Sequence, residues 1–488
     1  MQNTPNKIFG IIVFLYLLLG LINLDLIPIP WLDEAACLEP AVMWQRTGQY
    51  ISKAWPTPGT EDIFLSYPPG IMMLHRLTLS VFPAEVFWIR LPFLLLHTAS
   101  ILLLFRTLKN HLQLDWRWAT LLVLYFAFDK AVFEISRSVR SEVPEVFLLA
   151  CWFFVFTLPK SNRLLRLGLL GFISGALLLT HLKEWPVVAV LTLWLLFSEK
   201  FNRTTLAYVA GLAILPVGFL VFIDFQIGEL YRQLFRHSME HSAGSNPMVS
   251  IWNYFFGRFF PVYKEQPWLP LLHLWVTWLA IKQIKKSFKT ALPAALWLFA
   301  GLVWLFALGP YYRYFLPMYF VGILIVAQWI QSARPEFPNL KKWYYWPVIA
   351  MMLFPFFSRH LLGFIQRPER DPAAAIEFLD KYIPDKGKLL LYGNEIGMYY
   401  AAKYSHIDHA HETSPDHFAF DEYNTIYYLT DRDLPGFTRL ATYKPQSLKL
   451  PAWMYKLGKG GTFAGMHIYK INSDAEWKKV ATPFYYWQ

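Results

Sequence analysis

Long apolar runs separated by short polar segments dominate the first 360 residues of the chain. The first run covers residues 8–27 and would form a helix of about 30 Å, which is long enough to cross a bilayer. Further runs lie at 87–105, 116–135, 143–158, 167–181, 185–198, 205–225, 267–281, 291–308, 314–330 and 343–358. The pattern predicts a polytopic α-helical membrane protein with about eleven transmembrane helices.

Composition and charge agree with a membrane protein. Of the 488 residues, 55% are hydrophobic and 16% are charged, and the mean hydropathy is +0.31, which is more than the core of a soluble domain requires. The formal net charge of +11 would suit a nucleic-acid partner only if the basic residues formed one surface. They are spread over many loops, so we expect no nucleic-acid partner.

Basic residues concentrate in every second loop. If the N-terminus is cytoplasmic, the loops on that side carry about 16 Lys or Arg and about 3 acidic residues, a strong positive-inside bias. The first run lacks a small-residue cleavage site, so we expect a retained anchor. We therefore predict a multi-pass protein of the cytoplasmic (inner) membrane, with the first outer loop, 28–86, and everything beyond about residue 359 on the extracytoplasmic side.

The two longest outer loops are predicted at 28–86 and 226–266. The first contains WLDEAACLEPAVMW, in which Asp33 and Glu34 would be costly within hydrocarbon and should lie at the membrane surface. Pro40 disfavours one continuous helix, so both acids are expected on a turn before the helix. The later segment PPGIMMLHRLTLSVF is too short and charged to span, and predicts a surface helix.

The composition changes near residue 361, which divides a transmembrane domain, 1–360, from a C-terminal domain, 361–488. DPAAAIEFLDKYIP has apolar residues at helical spacing behind an Asp-Pro start, and KLLLYG and NTIYYLT are typical of strands. We expect a small soluble extracytoplasmic α/β domain. Its SHIDHAHETSPDH segment contains zinc-type ligands without a known spacing, and a polar loop is the favoured interpretation.

Several motifs occur in an order that resembles a known family. An Asp-Glu pair in the first outer loop is followed by YPPGIMMLHRL and by WIRLPFLLLHTASILLLF, and then by RSVRSEVPEVFLLA, GLLGFISGALLLTHLKEWP and YYRYFLP. Over about residues 1–330 this order resembles the GT-C membrane glycosyltransferases, in the branch of protein O-mannosyltransferases and lipid A aminoarabinose transferases. That branch has an Asp-Glu pair, a Pro-Pro pair, Arg-x-Pro and Arg-x-Asp at the matching points.

The resemblance implies a GT-C-like fold and an activity. The activity is the inverting transfer of a sugar from a polyprenyl-phosphate donor in the lipid bilayer to an acceptor hydroxyl on a protein, on lipid A or on a polysaccharide. Asp33 would be the general base, Glu34 a supporting acid and Glu142 the second acid, although Glu142 stands where the branch has Asp. Some relatives use a divalent cation near the acid pair and others do not, which leaves such a cation possible.

Basic and aromatic residues at the outer level are candidate ligands for the carrier phosphate. Lys183 and Arg313 are predicted to bind phosphate, and Arg140 is expected to pair with an acid. Arg90 could bind substrate or could be structural, bonded to the first loop. The other cationic candidates are Arg137 and Arg258. Basic residues at span ends are also common as anchors or in ion pairs.

One departure from the branch concerns the Pro-Pro pair. Aminoarabinose-type members carry Lys immediately before it, whereas this chain has Tyr67. Tyr67 could stack on sugar or lipid, or serve as an interfacial aromatic. His75 and Arg76, on the following surface helix, could replace the missing positive charge.

Two other classes of protein remain alternatives. A transporter or flippase for lipid-linked sugars would also need outer cations and an apolar groove, but it predicts charged residues deep inside the spans. The acids of this chain lie at the span ends instead. A membrane binding or assembly protein of the cell envelope, acting mainly through the C-terminal domain, is the third hypothesis.

Overall fold

The computed structural model describes most of the chain, in several stretches. The described residues are 4–26, 28, 32–55, 59–158, 162–199, 203–242, 268–287, 291–301, 303, 315–334, 365, 371–384, 386–410, 420–445 and 465–480. The predicted span at 343–358 lies outside them. The eleventh crossing, and with it the predicted number of spans, stays a prediction.

Helices make up the part of the chain that precedes residue 334. They are α1 (Thr4–Leu21), α2 (Leu32–Thr47), α3 (Gly70–Leu79), α4 (Val86–Arg106), α5 (Trp116–Phe128), α6 (Lys130–Ser136), α7 (Glu142–Thr157), α8 (Arg163–Leu178), α9 (Trp185–Glu199), α10 (Arg203–Phe222), α11 (Ile227–Ser242), α12 (Leu269–Lys286), α13 (Leu292–Ala295) and α14 (Leu316–Ala333). Short turns of π-helix and 3₁₀-helix follow α4, α8 and α13.

Three helices within the described residues are long and apolar enough to cross a membrane. They span Val86–His111, Thr204–Phe222 and Leu316–Ala333. Two shorter apolar helices cover Asn6–Leu21 and Trp116–Phe128. Each of the five coincides with an apolar run predicted from the sequence.

The predicted run at 116–135 is wrong as a single helix. The chain breaks at Asp129, whose side chain accepts hydrogen bonds from the backbone N–H groups of Ala131 (3.0 Å) and Val132 (3.1 Å). A buried Asp that caps the next helix satisfies donors that a helix start leaves open. The run therefore forms α5 and the short α6, and α6 leads into the loop before α7.

The expectation of a turn before Pro40 is also wrong. Helix α2 runs without a break from Leu32 to Thr47 and contains Pro40, so Asp33 and Glu34 lie in its first turn. Proline in a helix interior removes a backbone hydrogen bond. Helix α2 tolerates this because apolar side chains on both sides of Pro40, including Leu38 and Val42, are buried in a large hydrophobic cluster.

Glycines let α8 and α10 approach each other closely. A Cβ atom on Gly171 would lie 2.0 Å from the carbonyl oxygen of Tyr208, and one on Gly211 would lie 2.2 Å from that of Gly168. Close backbone contact through small residues is a common way to pack transmembrane helices. It fixes the direction of α8, whose end leads into the candidate site.

The C-terminal region forms a mixed five-stranded sheet in the order β2-β1-β3-β5-β4. Its elements are α15 (Pro372–Tyr382), β1 (Leu389–Gly393), α16 (Ile396–Ala401), β2 (Ile407–Ala410), β3 (Thr425–Thr430), β4 (Thr438–Tyr443), β5 (Met466–Ile471) and α17 (Asp474–Val480). Strand β1 pairs in parallel with β2 and with β3. Strand β5 pairs antiparallel with β3 and with β4. Strands β2 and β4 were not predicted, and β2 lies at the start of the histidine-rich segment.

The sheet region packs directly on the first outer loop. One buried hydrophobic cluster combines α2 and α3 residues such as Leu38 and Ile71 with C-terminal residues such as Met398 and Ile468. The loop that carries the Asp-Glu pair is therefore enclosed between the helices and the C-terminal region.

Candidate active site

The Glu34 carboxylate is buried at the junction of four segments. Its Oε2 lies 2.7 Å from Nη2 of Arg90 on α4 and accepts a hydrogen bond from the Tyr399 hydroxyl on α16 (3.3 Å). Its Oε1 accepts a hydrogen bond from the backbone N–H of Val139 (2.9 Å), in the loop before α7. Glu34, Arg90 and Tyr399 have no exposed surface. We call this group the Glu34 junction.

Arg90 also binds the backbone that precedes α2. Its Nη1 donates to the carbonyl oxygens of Leu24 (2.9 Å) and Pro28 (2.6 Å). A guanidinium that pairs with a carboxylate and two carbonyls holds the connection between α1 and α2 in place. Arg137 acts similarly, because its Nη2 donates to the carbonyl oxygen of Ile22.

A second ionic group is built on the first turn of α7. The Glu142 carboxylate lies 3.2 Å from Nε of Arg140 and 3.0 Å from Nζ of Lys183. The same ammonium lies 3.1 Å from Oε2 of Glu145. Acidic residues are favoured at this position because the first turn is the positive end of a helix.

The second group contains more acids than bases. Glu184, next to Lys183 in the 3₁₀ turn between α8 and α9, is also fully buried. Its burial, together with the neighbouring Glu145 carboxyl, raises the pKa of Glu184 well above the ordinary value. Burial therefore favours the protonated form of Glu184 more than it would for an exposed glutamate, and we call this set the α7 acid cluster. Its members are Arg140, Glu142, Glu145, Lys183 and Glu184.

The two groups are adjacent along the loop before α7. Val139 contacts the Glu34 junction and Arg140 begins the acid cluster. Tyr67 borders the same loop, since its hydroxyl lies 3.4 Å from Oγ of Ser141 and its ring packs edge-on against His181 at 5.0 Å. The structure thus brings Glu34, Tyr67, Arg90, Arg140, Glu142 and Lys183 to one region.

Two other candidates, His75 and Arg76, lie on α3. His75 is fully buried against Phe93, with ring centroids 5.5 Å apart, and burial lowers the pKa of His75 to about 3. A neutral histidine cannot replace the positive charge that is missing at Tyr67, directly before the Pro-Pro pair. Arg76 is the cationic candidate on α3, and its guanidinium lies 4.0 Å from the centroid of the Trp44 ring.

Some predicted residues fall outside the described part of the chain. Arg258 and Arg313 are among them, as are His411, Glu412, Asp416 and His417 of the histidine-rich segment. For Asp33 the structure describes the backbone in α2 but not the side chain. Their predicted roles stay predictions.

The described residues were also tested for a metal site. In the ranges that the structure describes, no group of three His, Cys, Asp or Glu side chains is arranged to hold a metal ion. Both Glu34 oxygens accept hydrogen bonds, and a guanidinium lies 2.7 Å away, so Glu34 does not fit a divalent-cation site. Asp408, in the histidine-rich segment, pairs with Lys53 at 3.0 Å and accepts from the Tyr423 hydroxyl.

Sequence reasoning missed three contributors to this region: Glu145, Glu184 and Tyr399. Glu145 was hidden at the edge of an apolar run, although its position three residues after Glu142 puts both on one face of a helix. Glu184 follows Lys183 in the THLKEWP segment, where a paired charge between two spans could have been noticed. Nothing in the sequence alone links Tyr399 to Glu34, because 365 residues separate them.

Part of the chain matches a known protein family. The family of dolichyl-phosphate-mannose-protein mannosyltransferases matches residues 66–223, a stretch that contains Tyr67, the Arg140–Glu142 pair and Lys183. A search of curated proteins found no match by sequence.

The fold is that of a solved membrane transferase. The chain is similar to ArnT, a lipid A aminoarabinose transferase from Cupriavidus metallidurans, in the apo state, with a TM-score of 0.57 and 12% identity over 95% of this chain and 98% of that one. The structure of ArnT bound to undecaprenyl phosphate gives a TM-score of 0.59 at 12% identity, over 96% of this chain and 98% of the other. The GT-C fold implied by the resemblance is therefore confirmed.

Proposed function

We propose that this chain is a glycosyltransferase that moves a sugar from a polyprenyl-phosphate donor to an acceptor hydroxyl, with inversion at the sugar carbon. The observation that carries the proposal is the hydrogen bond between Glu34 and the Val139 N–H (2.9 Å). It joins the helix of Asp33 to the loop that leads into Glu142. The two acids that the chemistry requires thus stand on connected segments, beside buried cations.

In the proposed reaction, Asp33 takes the proton from the acceptor hydroxyl as its oxygen attacks the anomeric carbon. The bond between that carbon and the phosphate oxygen breaks in the same displacement, and the carrier leaves as a polyprenyl phosphate. A single displacement inverts the anomeric configuration. Cations at the outer level offset the negative charge that grows on the departing phosphate, and we assign this role to Lys183 and Arg313.

The Glu142 carboxylate is the proposed second acid. Its ion pairs with Arg140 and Lys183 hold the three side chains close together. An anionic head group that binds there would compete with Glu142 and Glu145 for the Lys183 ammonium. The raised pKa of Glu184 favours its neutral form, which reduces the negative charge that such a ligand meets.

The proposal includes a location. The chain would reside in the cytoplasmic (inner) membrane with about eleven crossings, a cytoplasmic N-terminus and an extracytoplasmic C-terminal domain. This arrangement puts the acids where an apolar carrier tail lies in the bilayer and the phosphate at its surface. The buried acids of α7 lie in its first turn, and a flippase would instead need charges deep inside its spans. The acceptor is a protein, a lipid or a glycan.

The test is a transfer assay with the full-length chain in liposomes that contain a panel of polyprenyl-phosphate sugars. Asp33→Asn keeps the size of the side chain and removes the base, so we expect kcat to fall by about 10²–10⁴-fold. The matched control is Asp62→Asn, an exposed acid of the same loop, which should transfer at the wild-type rate. Unchanged transfer by Asp33→Asn, or a product with the donor's anomeric configuration, would contradict the mechanism.

The substrates can be identified separately. Mass spectrometry of glycans and lipids from cells with and without the chain should reveal one missing sugar mass, attached to one class of acceptor. An unchanged set of masses would contradict a transferase role.

A further inference from the structure

The C-terminal region contributes one polar side chain to the Glu34 junction. The Tyr399 hydroxyl, on α16, donates to Oε2 of Glu34 at 3.3 Å, and both side chains are fully buried. The Glu34 carboxylate also accepts from Arg90 and from the Val139 N–H. A carboxylate with donors on both oxygens has a fixed orientation and is a poor acceptor for a substrate proton.

The same α16 segment is attached to α2 at a second point. The Arg46 guanidinium, near the end of α2, donates to the carbonyl oxygens of Ala401 and Ile407, the latter at 2.9 Å. Between these two points Leu38 and Val42 of α2 share a buried cluster with Met398. Helix α2 is therefore held at both ends by one short segment of the C-terminal region.

Residue 33 directly precedes Glu34 in the first turn of α2. Orienting the backbone of Glu34 also orients that of its neighbour, because the two share a peptide plane. A shift of about 1 Å in a catalytic group can reduce a rate by about 10²-fold. A hydrogen bond to Glu34 can therefore act on the reaction without touching substrate.

We propose that Tyr399 is a positioning residue, by which the C-terminal domain holds the first turn of α2 in the orientation that the Asp33 base requires. This inference rests on the proposed function. It makes the C-terminal domain a working part of the transfer site, and it assigns Glu34 to positioning.

The test compares Tyr399→Phe with wild type in the full-length transfer assay. The substitution keeps the ring and removes only the hydroxyl, so we expect kcat to fall about 10–100-fold while the KM for the donor stays unchanged. The matched control is Tyr400→Phe, a buried tyrosine of the same helix, which should keep the wild-type kcat. Both variants should remain folded at the assay temperature, which the melting temperature of each checks.

A double variant separates positioning from stability. In an Asp33→Asn background, Tyr399→Phe should cause no further loss, because the group that it positions is already absent. A wild-type kcat in Tyr399→Phe, a rise in KM that accounts for the loss, or a further loss in the Asp33→Asn background would each overturn the inference. If wild type transfers no sugar from any donor, the proposed function itself fails, which is a different result.

Discussion

The Glu34 junction and the α7 acid cluster both bury carboxyl groups at the ends of helices, but they balance charge differently. At the junction one acid meets one guanidinium and two neutral donors. In the cluster, Arg140 and Lys183 face Glu142, Glu145 and Glu184. The cluster therefore needs a bound proton to be neutral, whereas the junction does not.

This difference separates two uses of buried charge. A closed pair with hydrogen-bond donors on both carboxylate oxygens fixes the geometry and has little capacity to accept a ligand. A cluster in which three acids share two cations, with one ammonium between two carboxylates, titrates as a unit rather than acid by acid. We infer that the junction holds the first outer loop in place and that the cluster responds to the charge of the substrate.

The largest expected effect comes from breaking the junction with Arg90→Met. The change leaves the Glu34 carboxylate buried without its cation, which typically destabilises a protein by about 3–5 kcal/mol. The melting temperature of the detergent-solubilised chain should fall sharply. Arg232→Met, which removes the exposed partner of Glu229, is the control and should change little. A small effect of Arg90→Met would show that the junction does not hold the loop.

An intermediate effect on stability is expected from Glu39, a buried carboxyl group whose hydrogen-bond donors are neutral. Glu39 accepts from the Ser52 hydroxyl (2.5 Å) and the Lys53 N–H (3.0 Å), and burial raises the pKa of Glu39 from 4.5 to about 7. The folded state binds this proton more tightly than the unfolded state, so stability falls as pH rises from about 4.5 to about 7. The loss is at most roughly 3 kcal/mol, at 1.36 kcal/mol per pKa unit.

Glu39→Gln should remove this part of the pH dependence, because Gln resembles the protonated acid. Melting temperatures between pH 4.5 and 8 measure it, with the exposed Glu377→Gln as control. If wild type and Glu39→Gln lose stability in parallel with rising pH, Glu39 is not the group that titrates.

Sequence alone predicted much of the transmembrane part, because apolar runs and helix lengths follow directly from the bilayer thickness. It also found Arg140, Glu142 and Lys183, whose motifs have a recognisable order. It failed at Pro40 and Asp129, where burial and capping override local preference. The burial around Pro40 depends on packing partners that are distant in the chain, whereas the cap formed by Asp129 is local.

The C-terminal part shows the same limit. Strand β3 was predicted from NTIYYLT, whose apolar residues are continuous. Strand β2 was missed because Asp408 and His409 interrupt its apolar pattern. Those polar residues are tolerated because Asp408 pairs across to Lys53 of the first loop, a contact that no local pattern reveals.

The smallest effect is expected from Glu184→Gln, which tests the acid cluster. Since burial favours the protonated form of Glu184, replacing it by the neutral Gln should change stability at pH 7 by no more than about 0.5 kcal/mol. Glu34→Gln, the same change in the closed pair, should cost roughly 1.5–3 kcal/mol, as expected for hydrogen bonds to a charged group. Raising the pH should destabilise wild type by deprotonating Glu184, and Glu184→Gln should lack this component. Equal losses from the two substitutions would mean that Glu184 is ionised, and the contrast between junction and cluster would disappear.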